Sequence, residues 1–175
     1  MFSPRMIFAV SAILIAAATR FIPHPPNFTA VGAIALFAGA VIPSRFWSMV
    51  IPFVAMFLTD LVYGFHSTMW AVYASFAMIT MMGWAIQNKQ NAVNMLGASL
   101  AASVLFFFLT NTAVWMADVT SPVSFYSKDL SGLMLCIDAG IPFFANTLIS
   151  QLLFGGLLFG SYYALKVWKP ALVKA

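Results

Sequence analysis

Six apolar runs separated by short polar breaks make up almost the whole chain. They cover about 6–19, 29–42, 46–65, 68–86, 92–117 and 141–168. A helix needs about 20 apolar residues to cross about 30 Å of hydrocarbon. The pattern therefore predicts an all-α bundle of six transmembrane helices, forming one integral membrane domain over residues 1–175. The second run is short and rich in small residues, which let helix backbones approach closely, and Pro43, Ser44 and Arg45 end it. The third carries Pro52 as an expected kink and Asp60 about four-fifths of the way along, before a tight turn at His66 and Ser67. The fifth is long enough to tilt. Residues 133–140 read as a short apolar lead-in to the sixth, which takes Pro142 in its first turn, where a missing donor does no harm. The first run has the flanks of a signal peptide, but removing it leaves an odd number of spans and spoils the charge asymmetry described below. It is read as the first span.

One break differs from the others. Between Arg20 and Thr29, Pro23, Pro25 and Pro26 remove three backbone donors and hold φ near one value. The segment is predicted to be a semi-rigid loop, and it presents Arg20, His24 and Asn27, which suits one wall of a binding site.

Composition narrows the class. Of 175 residues 63% are hydrophobic and 7% charged, with a mean hydropathy of +0.97. Soluble domains carry about 25% charged residues, so this chain could not cover a water-facing surface. The one cysteine excludes an internal disulfide. No G-x-x-x-x-G-K or G-x-G-x-x-G motif is present, and the net charge of +4 speaks to topology rather than to nucleic acid.

Six spans put both termini on one side, together with Arg5, Arg45, Lys89, Lys166, Lys169 and Lys174, leaving only Arg20 and Lys128 opposite. The positive-inside rule then predicts a bacterial inner-membrane protein with cytoplasmic termini. The same topology gathers Asp60, Asp118, Asp129, Asp138, His24, His66, Asn111 and Asn146 into one outward layer. A polar cavity opening outward is the simplest arrangement that accommodates them.

Asp60 is the most informative residue, because a carboxylate within a span costs at least about 2.5 kcal/mol and marks a functional-site candidate. Its expected partner is Arg20 or His24, and the competing reading is a structural ion pair. His24 and His66 have metal-ligand chemistry, with Asp60, Asp138 or Cys136 to complete a set, but no pair has tight ligand spacing; no metal and no cofactor is assigned. Cys136 reads as packing. Asn111 and Asn146, with Trp115 and Tyr126, are expected either to bond across helices or to line a pocket for a ring-bearing ligand. Ala9, Ala12 and Ala16 form a small-residue stripe on the first span, suited to internal packing or to docking of a partner.

The run Pro23-His-Pro-Pro-Asn-Phe-Thr29, followed by Ala33-Ile-Ala-Leu-Phe-Ala-Gly39, resembles the signature of a family of uncharacterised bacterial integral membrane proteins. Thr59-Asp-Leu61, Tyr73-Ala-Ser-Phe76, Asn111-Thr-Ala-Val-Trp115 and Ile141-Pro-Phe-Phe144 fit the same family. That family is similar in layout to the substrate-binding S components of energy-coupling-factor vitamin importers. The resemblance implies a six-span subunit that captures a vitamin beneath its outer loops. It also implies an A-x-x-x-A face, matched by Ala12 and Ala16, that docks on a transmembrane coupling subunit served by ATPases.

The expected function is thus uptake of a vitamin or similar micronutrient, cobalamin among the candidates, without catalysis. The small-molecule ligand would be held by Arg20, His24, Asn27, Asp60, Asn111 and Asn146. The rival expectations are a membrane-embedded enzyme acting on a lipid or quinone, and a self-contained secondary transporter.

Overall fold

The computed structural model describes residues 3–170, and every regular element among them is helical. Helix α1 (Pro4–Ala18) runs into a 3-10 turn at Thr19–Phe21. It is followed by α2 (Val31–Val41), α3 (Arg45–Tyr63), α4 (Met69–Ile86), α5 (Ala92–Val119) and α6 (Leu130–Trp168). Lys174, counted above toward the charge asymmetry, lies outside the described residues.

Five segments are long and apolar enough to cross a membrane: Pro4–Phe21, α3, α4, α5 and α6. The second apolar run is the exception. It forms a helix of only 11 residues, which rises about 16 Å, roughly half the hydrocarbon thickness. All of α2 except Gly32 is buried, and it touches each of the other five helices. Six helices form as expected, but only five have the length of a span, and they surround a short central one. The small residues of α2 make this possible. A Cβ on Gly39 would stand 2.1 Å from the Thr80 carbonyl oxygen, and one on Gly83 would stand 2.5 Å from that of Leu36. At this crossing α2 and α4 meet backbone to backbone.

Successive helices run in opposite directions, as contacts at the two ends establish. At one end the Arg20 side chain reaches Asp60 near the close of α3, and Asn146 of α6 reaches the loop after α1. At the other, Gln87 and Gln90, between α4 and α5, donate to the carbonyls of Ile42 and Ala40 at the close of α2. There Trp84 also donates to Ser48 at 2.8 Å while Arg45 lies over its ring.

The last helix departs most from expectation. Residues 133–140 are not a separate lead-in; α6 starts at Leu130 and runs for 39 residues, about 58 Å, with Pro142 in its interior. Gly132, Cys136 and Gly140 recur every fourth residue and are buried. This seam packs closely on its neighbours: a Cβ on Gly140 would meet the Asn111 side chain of α5 at 2.4 Å, and Cys136 Sγ lies 3.5 Å from the Asn111 carbonyl. Packing on α5 thus carries the helix through the proline, which removes one backbone donor. Asp129 caps α6, receiving the Gly132 N–H at 3.0 Å. Its carboxyl is held down to about 2, first by the Ser131 hydroxyl, then by that of Ser127 and by the Gly132 N–H.

The outer faces of the long helices expose Ile7, Leu14, Ile15, Val54, Leu58, Leu61, Val104 and Leu153, among others. Such a coat is suited to lipid tails.

Candidate ligand-binding site

Because α2 is short, it occupies the centre of the bundle toward one end only. Where α2 has not yet begun, the space is a cavity of about 270 Å³. Its floor includes Val31 and Gly32, at the N-terminus of α2. Its mouth is formed by Arg20, His24, Asn27 and Thr29 from the loop after α1, and by His66 from the loop after α3. Met56 and Asp60 of α3, Val72 of α4, Ser103 and Phe106 of α5, and Thr147, Ser150 and Gln151 of α6 complete the walls.

The proline-rich loop is built as its sequence suggests. The Phe28 N–H donates to the Pro25 carbonyl at 3.0 Å, and Asn27, with φ 61°, occupies the third position of the turn. Proline second and a positive φ third define a type II turn. Asn146 Nδ2 donates to the Pro26 carbonyl at 3.0 Å, and Phe28 packs edge-on against Phe154. Both contacts fasten the loop to α6.

Asp60 is 5% exposed and pairs with Arg20, whose Nη1 stands 2.8 Å from Oδ1. The other carboxylate oxygen accepts from the Tyr73 hydroxyl at 2.8 Å. Arg20 Nη1 also donates to Thr59 Oγ1 and approaches Met56 Sδ at 3.3 Å. Tyr63 grips Arg20 twice: its hydroxyl donates to the Arg20 carbonyl, and its ring centre lies 5.5 Å from the guanidinium carbon. Of the two partners anticipated for Asp60, Arg20 is the one engaged. The side-chain hydrogen bonds of this guanidinium among the described residues all use Nη1.

His24 Nδ1 lies 3.0 Å from the carbonyl of Pro25, and His66 Nδ1 lies 3.0 Å from Thr68 Oγ1. Both are exposed at the mouth. Among the described residues no three His, Cys, Asp or Glu side chains are grouped to hold a metal ion.

The six anticipated ligand residues divide. Arg20, His24, Asn27 and Asp60 line one cavity. Asn111 does not: it is wedged in the α5–α6 hairpin, its side chain against Gly140 and donating to the Phe107 carbonyl at 2.7 Å. Asn146 supports the loop from outside the cavity. Trp115 and Tyr126 do not join them in a ring-binding pocket either; Trp115 donates to the Ser127 carbonyl at 3.1 Å. The alanine stripe of α1 also divides. Ala9 is fully buried in the core, whereas Ala12 and Ala16 both line a surface groove between α1 and α6.

The residue that sequence reasoning passed over is Gln151. It is 4% exposed, lines the cavity, and its Nε2 has no hydrogen-bond partner among the described residues. Its side chain fits because position 32 is glycine: a Cβ there would stand 2.4 Å from Gln151 Oε1. A signal did exist, since Gln151 is an amide in the middle of an apolar run, the same circumstance that singled out Asp60. Ser103 and Ser150 are the other polar floor residues, and each donates its own proton to a helix carbonyl. Their oxygens therefore remain as acceptors.

The family of unknown function DUF6580 matches residues 1–172, and the chain belongs to that family. No curated protein matches the chain. No solved structure matches it either.

Proposed function

We propose that this protein is a membrane-embedded substrate-binding subunit that captures a small polar molecule in the cavity beneath the 20–29 loop. One observation carries the reading: Gln151, an amide that lines a preformed cavity, has a buried Nε2 with no hydrogen-bond partner among the described residues. An unmet donor of this kind costs about 1–3 kcal/mol, and a bound guest removes that cost. The loop supports the same reading, since its type II turn and its two anchors to α6 give a preformed wall that loses little entropy on binding.

The ligand is small. At about 270 Å³ the cavity falls just below the roughly 300–1,000 Å³ of ordinary ligand pockets, so a corrinoid is far too large for it. A vitamin or precursor with one ring, or a short polar chain, fits the dimensions. We further propose that the subunit resembles the S components of energy-coupling-factor importers, with the mouth facing outward and both termini cytoplasmic. A coupling subunit would then meet α1 at the groove that Ala12 and Ala16 line together with the exposed Ile15.

Gently purified protein analysed by native mass spectrometry, and then titrated with a panel of small vitamins and precursors, tests the reading. A bound compound displaced by one panel member is the expected result. Protein that copurifies with nothing and binds nothing on the panel would overturn it.

A further inference from the structure

Resting on that reading, we infer that the guest presents a carboxylate to the floor of the cavity, where the N-terminus of α2 and Gln151 converge. The first N–H groups of any helix lack acceptors within the helix. On α2 no side chain supplies one, because the N-cap residue is Ala30. These groups carry the positive end of the helix dipole, equivalent to about half a charge. They open at mid-bundle beside Val31 and Gly32, both of which line the cavity. In water such an end is solvated; within an apolar bundle it attracts an anion.

Gln151 is the second and independent observation, a side chain more than nine-tenths buried that lines the same cavity and whose Nε2 has no partner among the described residues. Arg20, which lines the same cavity and bonds Asp60 and Thr59 through Nη1, is the third donor group. The one carboxylate lining the cavity does not compete, because both oxygens of Asp60 are taken, by Arg20 and by Tyr73. For the same reason a cationic guest finds no free acid there. Ser103 and Ser150, which offer lone pairs, would receive hydroxyl or N–H groups elsewhere on the guest. The class is thus a small carboxylic acid that also carries a hydrogen-bond donor.

Matched acid and amide probes test this without knowledge of the natural ligand. Nicotinate with nicotinamide, pantothenate with panthenol, and benzoate with benzamide would be titrated against the full-length protein by thermal shift and calorimetry. At least one acid should bind, with its neutral analogue weaker by roughly tenfold or more. Acid affinity should fall severalfold in Gln151→Leu, which is of similar volume and removes one of the three donor groups. Binding of the acid should vanish in Gln151→Glu, which sets a second carboxylate against it. Size-exclusion profiles and melting temperatures of both variants establish that they fold.

Equal binding of acid and amide, acid binding undiminished in Gln151→Leu, or no binding by any acid would overturn the inference. A neutral or cationic panel compound that binds in the last case would leave the capture reading standing and remove the carboxylate alone. Failure of every compound would remove both.

Discussion

The two ends of this bundle are made from the same kinds of helix but closed in opposite ways. At the end holding Arg45 and Gln87, α2 is present, and glycines at positions 39 and 83 let it meet α4 at backbone distance. Its last carbonyls are taken by Gln87 and Gln90. At the other end α2 is absent, and the space is bounded by a proline-stiffened loop, an ion pair and polar side chains from α5 and α6. Small residues close the α2–α4 crossing toward one end, while the late start of α2 leaves a cavity between the helices toward the other. A cavity within a membrane bundle thus needs no bend or break in the surrounding helices, only one inner helix that is too short.

The largest effect expected from breaking this contrast is at the sealed end. Gly39→Val sets new atoms within 2.1 Å of a backbone oxygen that cannot move aside. It should cost about 3 kcal/mol or more and leave little folded protein. Gly156→Ala, where an added Cβ meets nothing within 4 Å, should be harmless. Melting temperature in detergent compares the two, and equal values would mean that the α2–α4 crossing is not the seal.

Next comes the ion pair at the hollow end. Asp60→Asn leaves the Arg20 charge mostly buried without its counter-ion and should destabilise the protein by about 3 kcal/mol. The double variant Arg20→Met with Asp60→Leu should recover much of that loss, because an apolar pair of similar size replaces a buried ionic one without penalty. Denaturant or thermal unfolding measures both. A double variant as unstable as Asp60→Asn would assign the pair a role beyond mutual neutralisation.

The smallest effect is confined to the cap of α6. Asp129 is held down to about 2, below its ordinary 3.8. Its contribution is therefore present above about pH 4 and lost as the pH falls toward 2. Hydrogen exchange should show the first turn of α6 loosening over that window while α2 and α4 stay protected. Equal loosening in all three would locate the acid sensitivity elsewhere.

Much of this was legible in the residues. Uninterrupted apolar runs and 7% charged residues point to helices suited to a membrane, because hydrogen-bonded helices are the ready way to satisfy a backbone in so greasy a chain. Three prolines in a polar break dictate a stiff loop, and a carboxylate within a span demands a partner. Hence the helical class, the loop, and the shared cavity of Arg20, His24, Asn27 and Asp60 could be read in advance. Tertiary structure decided the rest. The short reach of α2 depends on what packs around it, since apolar composition alone does not distinguish a helix facing lipid from one enclosed by five others. Asn111 became a wedge because Gly140 stands opposite it, and Pro142 became internal because α5 supports the helix on either side. Gln151 became the central unpaired group because Gly32, more than a hundred residues away in the chain, leaves it room. Residue types and local stiffness are written along the chain; which polar group finds no partner is a property of the packed whole.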